Sequence, residues 1–207
     1  MGDVTAAWIR IENWLRQHSP GGLAALAFPA DEARIAAAGV ELPAELAESL
    51  RRHDGLTRWN NLLPWGAPLA VAEIVEHYEI RMEIAEDVDG FTAHQPGAEP
   101  WWHERWIPFA DAGMGLQIVD GRDGRVGLAP TSNPADFADG WPSLSDYLHA
   151  VVESLETGTP IGEWHPYLTV AGDLWWDLAD RTELDGQPLR PVQPTQATAG
   201  LDGGSLV

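Results

Sequence analysis

Hydrophobic spacing changes character once along this chain, and that change limits the fold more than any other feature. Up to about residue 86 the apolar residues recur at intervals of three and four, as on one face of a helix. From Trp106 they come in short runs rich in β-branched and aromatic residues, WIPFA, LQIVDG and RVGLA, separated by Gly and Asp. A helical pattern then returns over 143–156. Helices, then strands, then a helix is not a βαβ alternation. The order predicts an α+β fold, with a mostly antiparallel sheet whose central meander is flanked by several helices.

The individual elements follow from local signals. Val4, Trp8, Ile11 and Leu15 form one stripe, Asp3 caps it, and Pro20-Gly21-Gly22 is expected to stop it. A short helix is expected from Asp31 to Gly39. Another starts at Pro43, with Leu46 and Leu50 facing inward and Gly55 closing it. Val71, Val75, Tyr78 and Met82 predict the inward stripe of a helix over 71–86. Residues 87–100 read as a polar, turn-rich loop. Gly121-Arg122-Asp123-Gly124 suits a hairpin, so residues 106–129 read as an antiparallel meander. Ser143-x-x-Asp146 resembles a capping box before Leu144, Leu148, Val151 and Leu155, with Gly158 as the stop. EWHPYLTV and LWWDL suggest a second hairpin around Ala171-Gly172-Asp173. From Thr182 the chain is rich in Pro, Gln, Thr and Gly. Residues 1–181 therefore read as one domain and 182–207 as an extended or disordered tail.

Charge and cysteine content bound the chemistry. There are 32 acidic residues against 12 basic ones, all arginine, for a net charge of −20. Nucleic acid and anionic membranes are poor partners for such a surface, and a basic protein is a good one. With no Cys and no Lys, thiolate and Schiff-base chemistry and Cys-ligated zinc are closed. The N-terminus has no basic start followed by an apolar run, and no stretch approaches the length of a membrane span, so a cytoplasmic protein is expected.

No Walker A loop, dinucleotide-binding glycine motif, nucleophile elbow or His-Glu-x-x-His helix occurs. His103-Glu104 beside Trp101-Trp102 is a weak acid–base or metal candidate, because three or four converging ligands are needed and the spacing supplies no set. His53-Asp54 reads either as an acid–base pair or as turn chemistry ahead of Gly55. Asp111, Asp120 and Asp123 near the meander turns read as hydrolase carboxylates or as solvated turn residues. Trp101, Trp102, Trp106, Trp175 and Trp176 read as core or as an aromatic platform. On a strand, Trp101 and Trp102 would point to opposite faces. Neither a metal nor a cofactor is expected, and no residue is assigned a catalytic role.

The most distinctive charged feature is the opposite face of the 71–86 helix. It carries Glu73, Glu76, Glu79, Glu83 and Glu86 and continues into Asp87 and Asp89. With Arg81 as the one base, Glu73 to Asp89 has a net charge of −6. Such a face is either simply solvated or a docking surface for a basic partner, with Trp101 and Trp102 in the adjoining segment as further contacts.

Several motifs occur together in a familiar order. Trp8-Ile9-Arg10-Ile11-Glu12 precedes Pro29-Ala30, Leu42-Pro43-Ala44-Glu45-Leu46 and His53-Asp54-Gly55. Then come Trp106-Ile107-Pro108-Phe109-Ala110, Gly113 with Gly115, Gly124-Arg125-Val126-Gly127 and Ser143-Leu144-x-x-Tyr147-Leu148. This order, over residues 4–157, resembles the Smi/Knr branch of the SUKH superfamily. The resemblance implies an antiparallel sheet wrapped by helices and no catalytic residues. It also implies a protein-binding role, as in bacterial immunity proteins that block a toxin domain, often a nuclease, or in fungal regulators of cell-wall synthesis and signalling. Trp8, Pro43, Gly55, Trp106, Pro108, Phe109, Gly113, Gly115 and Gly127 would then be structural. The chain departs from the pattern at Gly113-Met114-Gly115-Leu116-Gln117, where relatives commonly carry an Asp after the glycines. The function expected is a non-enzymatic immunity protein occluding a basic toxin domain. The alternatives are a regulatory scaffold and, behind it, a carbohydrate binder or hydrolase.

Overall fold

The computed structural model describes residues 3–95 and 98–194. Helix α1 (Val4–His18) begins at Asp3, whose carboxylate accepts the Ala6 N–H at 2.9 Å. Val4, Trp8, Ile11 and Leu15 are buried as their spacing requires, and Trp8 donates its indole N–H to Ser49 at 2.8 Å. Pro20-Gly21-Gly22 does more than end this helix: it opens α2 (Pro20–Ala25). Ser19 caps α2, and Pro20 sits in the first turn, where a missing N–H costs nothing. Asp31 caps α3 (Glu32–Ala36), and α4 (Ala44–Leu50) follows Pro43 with Leu46 and Leu50 inward. Gly55 is not the stop of α4, which ends five residues earlier. Its φ of 69° turns the chain against the segment before the next helix, where a Cβ would lie 2.4 Å from the Ala70 nitrogen.

Strand β1 (Ala67–Pro68) precedes helix α5 (Val71–Asp87). Then come β2 (Trp106–Asp111), β3 (Gly115–Asp120), β4 (Val126–Pro130) and β5 (Asp136–Trp141). They form one antiparallel sheet in the order β1-β2-β3-β4-β5, with Ile107 opposite Val119 and Ile118 opposite Gly127. The expected meander is its centre. The two edge strands were not legible: β1 has only two residues, and β5 (DFADGW) is mostly polar and exposed. All six residues of β3 are buried, so both faces of the sheet centre are covered. Helix α6 (Leu144–Thr157) starts at Ser143, which accepts the Asp146 N–H, and ends at Gly158 with φ 72°. Its Tyr147 ring meets Phe109 at 5.8 Å, and α1 packs against the same helix.

The second hairpin forms from β6 (Trp164–Leu168) and β7 (Leu174–Leu178). From Thr182 onward the described part of the expected tail carries pairing. Strands β8 (Glu183–Leu184) and β9 (Gln187–Pro188) close a small hairpin on Asp185-Gly186, both at positive φ. Strand β10 (Arg190–Pro191) then pairs with β6, giving a second sheet β10-β6-β7. The tail expectation for residues 195–207 lies outside the described residues. The two sheets are stitched together by residues 61–64. Asn61 donates to the Trp176 carbonyl at 2.9 Å, the Trp176 indole donates to the Leu62 carbonyl at 3.2 Å, and Tyr147 donates to the Pro64 carbonyl at 3.0 Å. Among the described residues, no helix is long and apolar enough to cross a membrane.

Candidate partner-binding surface

The start of α5 is fixed by two carboxylates. Asp54 accepts the Val71 N–H at 2.8 Å with one oxygen and pairs with Arg34 through the other. Glu73 folds back onto the Ala70 N–H at 2.7 Å. The inward line is Val71, Ile74, Arg81 and Ala85; Val75, Tyr78 and Met82 of the expected stripe are only half-buried. The rotation follows from Arg81. Its guanidinium lies 4.9 Å from the Trp101 ring centroid and 5.8 Å from that of Trp102, and it donates to the Pro130 carbonyl at 3.3 Å. An arginine can bury its stem and rest its head on indole faces, which a hydrophobicity pattern does not anticipate. Burial pushes its pKa below the usual arginine value.

Turning the one base of this segment inward leaves the outer face acidic. Glu76, Glu79, Glu83, Glu86 and Asp87 are exposed, and none pairs with a basic side chain among the described residues. Glu73 is engaged at the helix start, and Asp89, at φ 55°, accepts the Thr92 hydroxyl at 2.8 Å. Nine of the twelve arginines pair with carboxylates elsewhere. The arrangement costs α5 stability. Glutamates three and four apart repel, and Glu83, Glu86 and Asp87 crowd the negative end of the helix dipole, each such placement costing about 0.3–1 kcal/mol.

Beside the acids runs an exposed apolar line, Ile80, Ile84 and Val88 at four-residue spacing, prolonged by Phe91. Ile80 neighbours Glu76 and Glu83, and Ile84 neighbours Asp87, so an apolar strip has a charged border. An apolar centre within a polar rim is also how many protein interfaces are built. The two tryptophans expected to help divide unequally. They precede β2 rather than lying on a strand, so strand alternation does not apply. Trp102 is fully buried against Trp106, at 5.9 Å, and is removed from direct contact. Trp101 is half-buried and donates to the Thr131 carbonyl at 3.0 Å.

Several of the remaining candidates make structural contacts. His53 bridges the Ala27 carbonyl at 2.9 Å and Glu12 at 3.0 Å, while Asp54 caps α5, so His53-Asp54-Gly55 is a junction between helices. Asp120 is buried and accepts from the Trp106 indole at 3.3 Å, the Arg122 N–H at 2.9 Å and the guanidinium of Arg122 at 2.6 Å. His103 accepts the Arg105 N–H at 2.9 Å; burial, and then Arg122, hold its pKa below the usual imidazole value. Among the described residues no three His, Asp or Glu side chains gather as a metal would require. Trp8, Trp106 and Phe109 of the signature set are buried, and a Cβ on Gly115 or Gly127 would meet Ala129 or Phe137 inside 3 Å. Gln117, after the glycine turn, is buried and donates to the Pro64 carbonyl. Trp176 is core. Trp175 instead lines a groove with Trp59, Trp65 and Trp164, three residues no sequence signal singled out.

A stability prediction follows from the buried carboxylates. Burial alone would raise the pKa of Asp120, but its hydrogen bonds from Arg122 and Trp106 outweigh it and hold the pKa below the carboxylate range. In Glu12 burial is likewise outweighed, by Arg52 and His53. A folded pKa below the unfolded one stabilises above the ordinary carboxylate value near 4 and is lost as pH falls through the folded value. Stability should therefore drop below about pH 4. Asp120→Ala, which strands the buried Trp106 N–H, should cost about 1–3 kcal/mol at pH 7 and flatten the acid limb. Urea titrations across pH 3–7 measure both.

A family model described as SMI1 / KNR4 family (SUKH-1) matches residues 29–150, more than half of the chain. No curated protein matches the chain.

Proposed function

The chain belongs to the SMI1 / KNR4 family (SUKH-1), and from that membership together with the surface of α5 we propose that it is an immunity protein. It binds a basic toxin domain, of the nuclease type, and blocks it by covering the active cleft, without catalysis of its own. A nuclease cleft is positive because its substrate is a phosphate backbone. An acidic helix that borders an apolar strip offers such a cleft both steering and a dry contact. The observation that carries this reading is the placement of Glu83, Glu86 and Asp87 at the wrong end of the helix dipole, without a counter-ion among the described residues. A merely solvated face has no use for a local cost of that kind. The contact set is Glu76, Glu79, Glu83, Glu86 and Asp87 around Ile80 and Ile84, with Trp101 at its edge. The protein is set to work in the cytoplasm.

Affinity capture of the tagged chain from its own cells, at low and at high salt, tests the proposal. One basic partner, lost as salt rises and toxic when expressed without this chain, is the expected result. Several cellular proteins whose capture ignores salt would replace it with the scaffold reading.

A further inference from the structure

A second recognition surface lies where the two sheets meet. Trp59 and Trp175 face each other at 5.7 Å between ring centroids, and Trp65 and Trp164 at 5.9 Å. Together they wall a groove of about 590 Å³. Trp59 is 62% exposed, and Met114 stands at the rim, 87% exposed. Trp65, Trp164 and Trp175 are half-buried, whereas Trp102, Trp106 and Trp176 are buried completely.

The backbone holds one of these rings at a cost. Trp65 has φ 67°, the left-handed region that a large side chain avoids. The next residue, Gly66, is locked against β2: a Cβ on it would lie 2.0 Å from the Asp111 carbonyl oxygen. Gln117 and Tyr147 both donate to the Pro64 carbonyl just before it. The surroundings thus over-determine a strained conformation whose effect is to stand an indole at the junction of two hollows. The second hollow, about 530 Å³, lies beyond the same Trp65–Trp164 pair.

Both hollows are acidic. Asp111 and Asp177 line the first, Asp139 and Glu163 the second. Two basic side chains near them are already paired, Arg181 with Asp177 at 3.7 Å and Arg58, next to Trp59, with Asp173 at 3.0 Å. Indole faces bordered by carboxylates attract a flat cation: the guanidinium stacks on the ring while its edge N–H groups reach an acid. A proline helix would leave those carboxylates unused, and a sugar's hydroxyls could meet them but would gain nothing from their charge.

We propose that this tryptophan groove takes the cationic side chains, arginine foremost, of an extended basic segment of a protein partner, one guanidinium on each side of the Trp65–Trp164 pair. The proposal deepens the reading of the chain as a protein-binding module and rests on it for the class of ligand.

The test uses the full chain and the peptide acetyl-Gly-Arg-Gly-Arg-Gly-amide at physiological salt, followed through the indole N–H resonances. The expected result is a saturable shift of Trp65 and Trp164, at least tenfold weaker with the citrulline peptide of the same shape. Trp65→Gly, which suits the backbone, and Trp59→Ala, at an exposed position, should each weaken binding several-fold, so that a folding failure of one leaves the other to decide. Asp139→Asn should weaken it as well. Equal shifts with citrulline or hexaproline, shifts outside the groove, or shifts that survive both tryptophan variants overturn the proposal. So does concentration-dependent self-association that closes the groove. Peptide binding without capture of any basic protein would sink the immunity reading and keep the groove. Capture without peptide binding would do the reverse.

Discussion

Reversing Glu76, Glu79, Glu83 and Glu86 to arginine slows association with the captured basic partner by about ten- to a hundredfold at low salt. The net charge falls from −20 to −12, and the whole change sits on one helix face. Steering acts on encounter, so the loss appears in the association rate more than in dissociation, and the dependence of that rate on salt flattens. Unfolding does not mimic this result. Glu83 and Glu86 oppose the dipole, which arginine there would favour, and the like-charge repulsion is the same for either sign, so the reversal does not weaken the C-terminal end of α5. Replacing Glu83 and Glu86 by glutamine should raise the melting temperature while still slowing association. Stopped-flow traces at several salt concentrations, beside a thermal melt, separate the two effects. An association rate untouched by the fourfold reversal takes α5 out of the interface.

The second large effect is on folding. Trp106→Ala removes a wholly buried ring that touches Trp102, His103 and Phe137 and donates to Asp120. Truncation of a buried tryptophan costs about 3–5 kcal/mol, and the buried carboxylate loses a donor as well. That is a large share of a stability that for most domains is about 5–15 kcal/mol. The melting temperature should fall by on the order of 10 °C. Trp59→Ala, at an exposed ring, should move it by no more than a few degrees. If the two variants melted alike, the division of the tryptophans between core and groove would be wrong.

How far the sequence reveals this molecule depends on which forces act locally. Asp3, Ser143 and Gly158 announce their helix ends because capping is a matter of a few neighbouring atoms. The meander is legible because β-branched runs and Gly-Asp turns alternate over short distances. Arg81 is not, since its inward direction depends on Trp101, Trp102 and the Pro130 carbonyl, which reach it only through the fold. The Asp185-Gly186 hairpin had a local signal, a strong turn pair, masked by the polar composition around it. The acidic face of α5 could be seen in the sequence. The apolar line beside it could not be told from core until Ile80, Ile84 and Val88 proved exposed. The groove was least visible: its four rings come from three separate segments, and only the docking of one sheet on the other brings them together.

The borders of the two sheets narrow how any partner can dock. The outer strands are β1 and β5 in one sheet and β10 and β7 in the other. Pro68 and Pro191 sit on β1 and β10, Asp136 and Asp139 on β5, and Asp177 on β7. Prolines and carboxylates at these places spoil the template that an incoming strand would extend. Backbone pairing of the kind that recruits peptides or seeds aggregates is thereby discouraged along these four borders. Recognition is left to side chains, so specificity can diverge by exchanging residues on α5 and around the groove while the strand ladder beneath stays as it is.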